Sequence, residues 1–67
     1  MKIIINGDAL TTTAKTLTYE AIAALVEQIE PTIVYTRLNG AHGSVMPGST
    51  IELSEGMVIS ALNTGNA

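Results

Sequence analysis

The sequence contains no cysteine, no tryptophan and no phenylalanine, and it has only three basic side chains in 67 residues. Without cysteine there can be no disulfide, no thiolate metal ligand and no thiol nucleophile. The same absence suits a reducing compartment, and a cytoplasmic location is expected. Lys2, Lys15 and Arg37 stand against six acidic residues, for a net charge of -3. No basic stripe can therefore be assembled to displace counterions from nucleic acid, and attraction to an anionic membrane surface fails on the same count. Long apolar runs are missing too. The opening Met1-Lys2-Ile3-Ile4-Ile5 is cut off by Asn6-Gly7-Asp8, too early for the apolar region of a signal peptide. No run approaches the roughly 18 residues that would cross a bilayer.

What remains is a short chain, 46% hydrophobic, whose only aromatic residues are Tyr19 and Tyr35. Such a length makes one domain that buries only roughly 60% of its unfolded surface, so an aliphatic core must carry the stability. The β-branched run Lys2 to Ile5 leads into Asn6-Gly7. Both turn residues tolerate positive φ, which predicts a tight hairpin. The return strand is expected from Asp8 to about Ala14. Three consecutive isoleucines predict that the first strand is central and buried on both faces.

The period then changes. Thr18 is placed as an N-cap, with Leu17 before it and Ile22 beyond it positioned as a hydrophobic staple. Glu20 complements the helix dipole. Ile22, Leu25, Val26 and Ile29 fall at helical spacing and predict one buried stripe, each residue contributing roughly 1.5–3 kcal/mol. Pro31 ends the helix near Ile29 or Glu30. Further strands are expected at 32–38, briefly at 44–46 and 50–53, and finally at 57–62, with Pro47-Gly48 suited to a type II turn.

Candidate reactive groups are few. His42, the single histidine, has no partner at ligand spacing and reads as a solvated loop residue. The threonine-rich stretch from Thr11 to Thr18 has no histidine near it to act as a base. The acidic residues are dispersed, and neither a phosphate loop nor a cofactor fingerprint is present. A non-enzymatic domain is expected, with no metal and no cofactor. Alternation along the strand at 32–38 places Ile33, Tyr35 and Arg37 together. These are assigned to the outer face because the opposite set, Val34, Thr36 and Leu38, buries no charge. Val58, Ser60 and Leu62 are expected outward on the last strand. Ile33, Tyr35, Arg37, Val58 and Leu62 thus form the candidate partner-binding surface, tyrosine and arginine being common interface anchors.

A hairpin, one helix and further strands follow the order of an α+β β-grasp (ubiquitin-like) domain, in which a mixed sheet of four to five strands packs on one helix. Leu17-Thr18-Tyr19-Glu20-Ala21-Ile22, Ile33-Val34-Tyr35-Thr36-Arg37 and Gly48-Ser49-Thr50-Ile51-Glu52-Leu53-Ser54-Glu55-Gly56-Met57 resemble bacterial multi-ubiquitin-type domains. The Glu-Gly turn before the last strand is also similar to small sulfur carriers. The resemblance implies two central, parallel terminal strands and a protein modifier. Its partners would be activating-enzyme and conjugating-enzyme homologues, a processing metallopeptidase and target proteins. It assigns residues 1–62 to the domain and 63–67 to a flexible tail that includes Asn63, Thr64 and Gly65. The chain departs from the pattern in having Thr64-Gly65 where two glycines would stand, followed by Asn66-Ala67. Cleavage between Gly65 and Asn66 is therefore required if Gly65 is the reactive end. The alternatives are a non-covalent binding module and a sulfur carrier.

Overall fold

The computed structural model describes residues 1–63. Strand β1 (Lys2–Ile5) turns at Asn6-Gly7 into β2 (Asp8–Thr11); β3 (Thr16–Thr18) leads directly into helix α1 (Tyr19–Leu25). Strands β4 (Thr32–Thr36), β5 (His42–Val45), β6 (Thr50–Glu52) and β7 (Val58–Leu62) follow. The five-stranded sheet has the order β2-β1-β7-β4-β5, with β3 and β6 paired separately. Within it β1 and β7 run parallel, while the other neighbours are antiparallel. One helix packed on this mixed sheet is the α+β, β-grasp architecture expected.

Local chemistry accounts for the punctuation. Asn6 and Gly7 adopt φ of 51° and 85°, as a two-residue hairpin turn of the I′ kind requires. Gly48 sits at φ 82°, and Ser49 N–H closes the Pro47-Gly48 turn on Met46 C=O at 2.9 Å. The Thr18 hydroxyl accepts Ala21 N–H at 3.0 Å, capping α1.

The core lies between the helix and one sheet face. Ile3, Ile5, Tyr19, Ile22, Ile33, Val45, Ile51, Leu53, Met57, Ile59 and Ala61 are buried. Ile4, on the opposite face of β1, is half-buried rather than enclosed. Strands β2 and β4 stop at Thr11 and Thr36, short of the expected Ala14 and Leu38.

The helix corrects the sequence reading most. It ends at Leu25 with Val26 as C-cap, not near Ile29, and the chain then passes through left-handed conformations at Glu27 and Glu30, φ 56° and 48°. Leu25 is 53% and Ile29 84% exposed. Tyr19 takes up the core position a turn earlier, so the buried stripe is Tyr19, Ile22 and half-buried Val26. The cause is the return path. Pro31 is buried, and its carbonyl accepts the Tyr19 hydroxyl; anchoring it under the first turn of α1 leaves no length for further helix.

Candidate functional site

The expected site has two parts, the strand leading to the tail and the sheet face beside it. Strand β7 is held from three directions. At its start, the Glu55 carboxylate accepts Lys2 backbone N–H at 3.1 and 3.2 Å, and Gly56 N–H donates to Lys2 C=O at 2.8 Å. Gly56 has φ 78°, which other residues adopt at a cost. The Glu-Gly turn thus sews the last strand to the first. Parallel rungs continue as Ile4 N–H to Met57 C=O and Asn6 N–H to Ile59 C=O, both 2.9 Å.

Beyond Ile59, β1 has turned away, and side chains replace it. Asn6 donates through Nδ2 to Ala61 C=O at 3.1 Å and accepts Ala61 N–H on Oδ1 at 2.8 Å. Its amide thereby imitates a neighbouring strand. Gln28 donates Nε2 to the same Ala61 carbonyl at 3.1 Å, while its Oε1 is buried with no hydrogen-bond partner. Sequence reasoning took Asn6 and Glu55 as turn residues and passed over Gln28. The signal that both turns use a side chain able to accept backbone N–H was present, but its target was not. Leu62 and Asn63 are exposed at the end of β7. Thr64, Gly65 and Asn66, the other tail and processing residues, lie outside the described residues.

The second part needs correction. Val58 and Leu62 face outward as expected, at 40% and 60% exposure. Ile33 does not: it is 1% exposed and pairs with Ala61 and Val45, both buried. Tyr35 points the same way, half-buried opposite Ile59. Its ring lies so close to Gly43 that a Cβ there would come within 2.9 Å of the hydroxyl oxygen. The outward residues of β4 are Thr32, Val34 and Thr36.

The inversion has a physical reason. The sequence reading refused to bury Arg37, yet β4 ends at Thr36, so Arg37 sits at the margin of the inner side. Its guanidinium lies 5.1 Å from the Tyr35 ring centroid, a cation–π distance, and donates to Ser54 Oγ at 3.1 Å. The charge stays half-exposed beside a hollow of about 380 Å³ lined in part by Met46, Thr50 and Glu52.

The outer face is therefore built from Val34, Val58 and Leu62. Val58 pairs with Ile4 on one side and Thr36 on the other; Val34 pairs with Ser60 and Ser44, and Leu62 with Thr32. Aliphatic groups surrounded by small hydroxyls can bury against an apolar partner without desolvating a charge. Among the described residues, no group of three His, Cys, Asp or Glu could hold a metal, and no helix is long and apolar enough to cross a membrane. His42 is exposed at the start of β5, its Nδ1 3.4 Å from Gly40 C=O. Glu20 ties the Pro47-Gly48 turn to α1 by accepting Gly48 N–H at 3.0 Å. The Tyr19 hydroxyl is pushed above the ordinary tyrosine range by burial, and further by the carboxylates of Glu30 and Glu20.

A family model described as Multiubiquitin matches residues 1–64. No curated protein and no solved structure matches the chain. The match spans nearly the whole sequence, and the chain belongs to the multiubiquitin family of ubiquitin-like domains.

Proposed function

We propose that this multiubiquitin-family domain is a protein modifier that reacts through Gly65. A processing metallopeptidase cleaves between Gly65 and Asn66, exposing a glycine carboxylate. An activating-enzyme homologue adenylates that carboxylate with ATP, releasing pyrophosphate; a thiol of the conjugating-enzyme homologue displaces AMP to form a thioester, and an amine on a target protein displaces that thiol to form an amide. Glycine suits the reacting end because a narrow channel can close on a residue that has no Cβ. Asn63 and Thr64 are the segment such a channel would grip. In this reading the domain itself is non-catalytic and works in the cytoplasm.

The observation that carries the reading is the seating of β7. The strand is bonded between β1 and β4 and bracketed by Asn6 and Gln28 as far as Ala61. A rigid body therefore reaches to within a few residues of Gly65. The exposed Val34, Val58 and Leu62 favour a second reading, in which the domain binds its partners only non-covalently through the outer sheet face.

Incubation of the purified chain with its metallopeptidase and activating-enzyme homologues and ATP, followed by intact mass measurement, tests the first reading. The expected result is loss of everything after Gly65 and an adduct on its carboxylate, both absent in Gly65→Lys. An uncut chain, or conjugation indifferent to Gly65→Lys, overturns it. The docking module would then stand, provided that Leu62→Ser abolishes complex formation while truncation after Asn63 does not.

A further inference from the structure

The sheet has two outer strands, and they end differently. Strand β5 runs straight into Met46-Pro47, and a proline cannot continue a ladder. Strand β2 has no such stop, and its register fixes which of its backbone groups face away from the sheet. Met1 and Thr12 exchange both N–H···O=C bonds, at 2.9 and 3.0 Å. Alternation of bonded and non-bonded pairs along an antiparallel ladder then gives Ile3–Leu10 and Ile5–Asp8 as the next bonded pairs. Ala9 and Thr11 are left with N–H and C=O directed outward. That is a row of donors and acceptors at the spacing another extended chain would match.

Beside this edge, on the helix side, lies a hollow of about 320 Å³ lined by Ile5, Asp8, Leu10, Leu25, Val26 and Glu27. It exists because α1 ends early: Leu25, expected in the core, stands 53% exposed above half-buried Leu10 and Val26. The floor is aliphatic and the rim carries two carboxylates. Among the described residues, no cation pairs with either.

We propose that β2 and this hollow bind an extended peptide segment of a partner protein, one that carries alternating aliphatic residues with lysine or arginine beside them. The peptide adds as a sixth strand along β2, its main chain bonding to Ala9 and Thr11. Successive side chains of a strand point to opposite faces, so every second one enters between Leu10 and Leu25, while the flanking cations meet Asp8 and Glu27. A second copy of this chain is the wrong occupant, because pairing β2 with β2 brings Asp8 and Glu27 towards the same carboxylates of the other molecule, which repels. The inference needs no chemistry at Gly65: the ladder groups it uses, on Ala9 and Thr11, lie across β1 from β7, although Asn6, which clasps Ala61, also lines the hollow.

The test uses the full chain and a synthetic octapeptide with four alternating valines and isoleucines between lysine pairs. Amide exchange followed by NMR should slow at Ala9 and Thr11 on adding it. Binding should weaken as salt is raised. A peptide of equal charge with proline inside the core, and one with glutamates in place of the lysines, should each bind at least about tenfold more weakly, a loss of roughly 1.4 kcal/mol. Leu25→Lys should weaken binding to the same degree. Ala9→Pro should do so too, with the amide spectrum otherwise dispersed, because the lost N–H faces away from β1. Should Ala9→Pro fail to fold, a peptide N-methylated at alternate core amides makes the same cut from the other side. Protection elsewhere than β2, equal binding of the proline peptide, or slowed exchange that tracks protein concentration without peptide would each overturn the proposal, the last in favour of self-pairing.

Discussion

Strands β4 and β7 lie side by side in the sheet, and both alternate inward and outward, yet only one of them could be oriented from its sequence. In β7 the inward set, Ile59 and Ala61 following Met57, is wholly apolar, while the outward set includes Ser60. In β4 both sets are mixed: Ile33 and Tyr35 lead to Arg37, and Val34 is flanked by threonines. The difference shows that alternation fixes the two sets but not which is inside. A single charge placed one residue past the end of a strand can reverse the choice. A register slip of one residue exchanges the two faces completely, so neighbouring β7 settles the matter for β4 through the pairing of Ile33 with Ala61 and Tyr35 with Ile59.

The sharpest way to break this comparison is to shave both faces. Ile33→Ala should cost about 2–5 kcal/mol, a large share of what a domain of this size possesses, about 5 kcal/mol. Chemical denaturation should therefore find it barely folded. Were Ile33 on the outer face, the midpoint would hardly move. Gly43→Ala tests how firmly the Tyr35 ring is held against its cross-strand partner. An inward ring must shift to admit the new methyl, which meets Tyr35 at 2.9–3.1 Å, and overpacking of this kind costs about 1–3 kcal/mol.

A weaker effect, confined to alkali, should come from Tyr19 in the same inner layer. An unfolded tyrosine ionises near 10, whereas the buried hydroxyl keeps its proton to higher pH. Between those values the folded chain holds more protons, so stability falls as pH rises above about 10. Thermal melts across that range should show the slope in the native chain and its loss in Tyr19→Phe. The smallest change is expected on the outer face: Val34→Thr preserves β-branching and should leave the denaturation midpoint within about 0.5 kcal/mol of the native chain.

Features written in neighbouring residues were legible. The Asn6-Gly7 hairpin, the Thr18 cap and the Pro47-Gly48 turn each depend on backbone angles or bonds within three residues, and the chain order of strands and helix placed the fold. What was hidden depends on contacts between distant residues. The early stop of α1 follows from the Tyr19 hydroxyl reaching Pro31. The pairing of β3 with β6 joins Leu17 to Ile51, two residues with no local sign of each other. The brackets around β7 come from Asn6, Gln28 and Glu55, whose carboxamides and carboxylate look on paper like solvated turn groups. Of the candidate site, Val58 and Leu62 were readable from alternation; Val34 was not, for the reason β4 itself was not.

Because β7 lies lengthwise between a parallel and an antiparallel neighbour, a pull directed along the strand shears its rungs together instead of unzipping them. Such a load falls on the Met57–Ile4 and Ile59–Asn6 bonds, on the rungs to β4 and on the Asn6 clasp at the same moment. Nothing can peel open rung by rung under that pull.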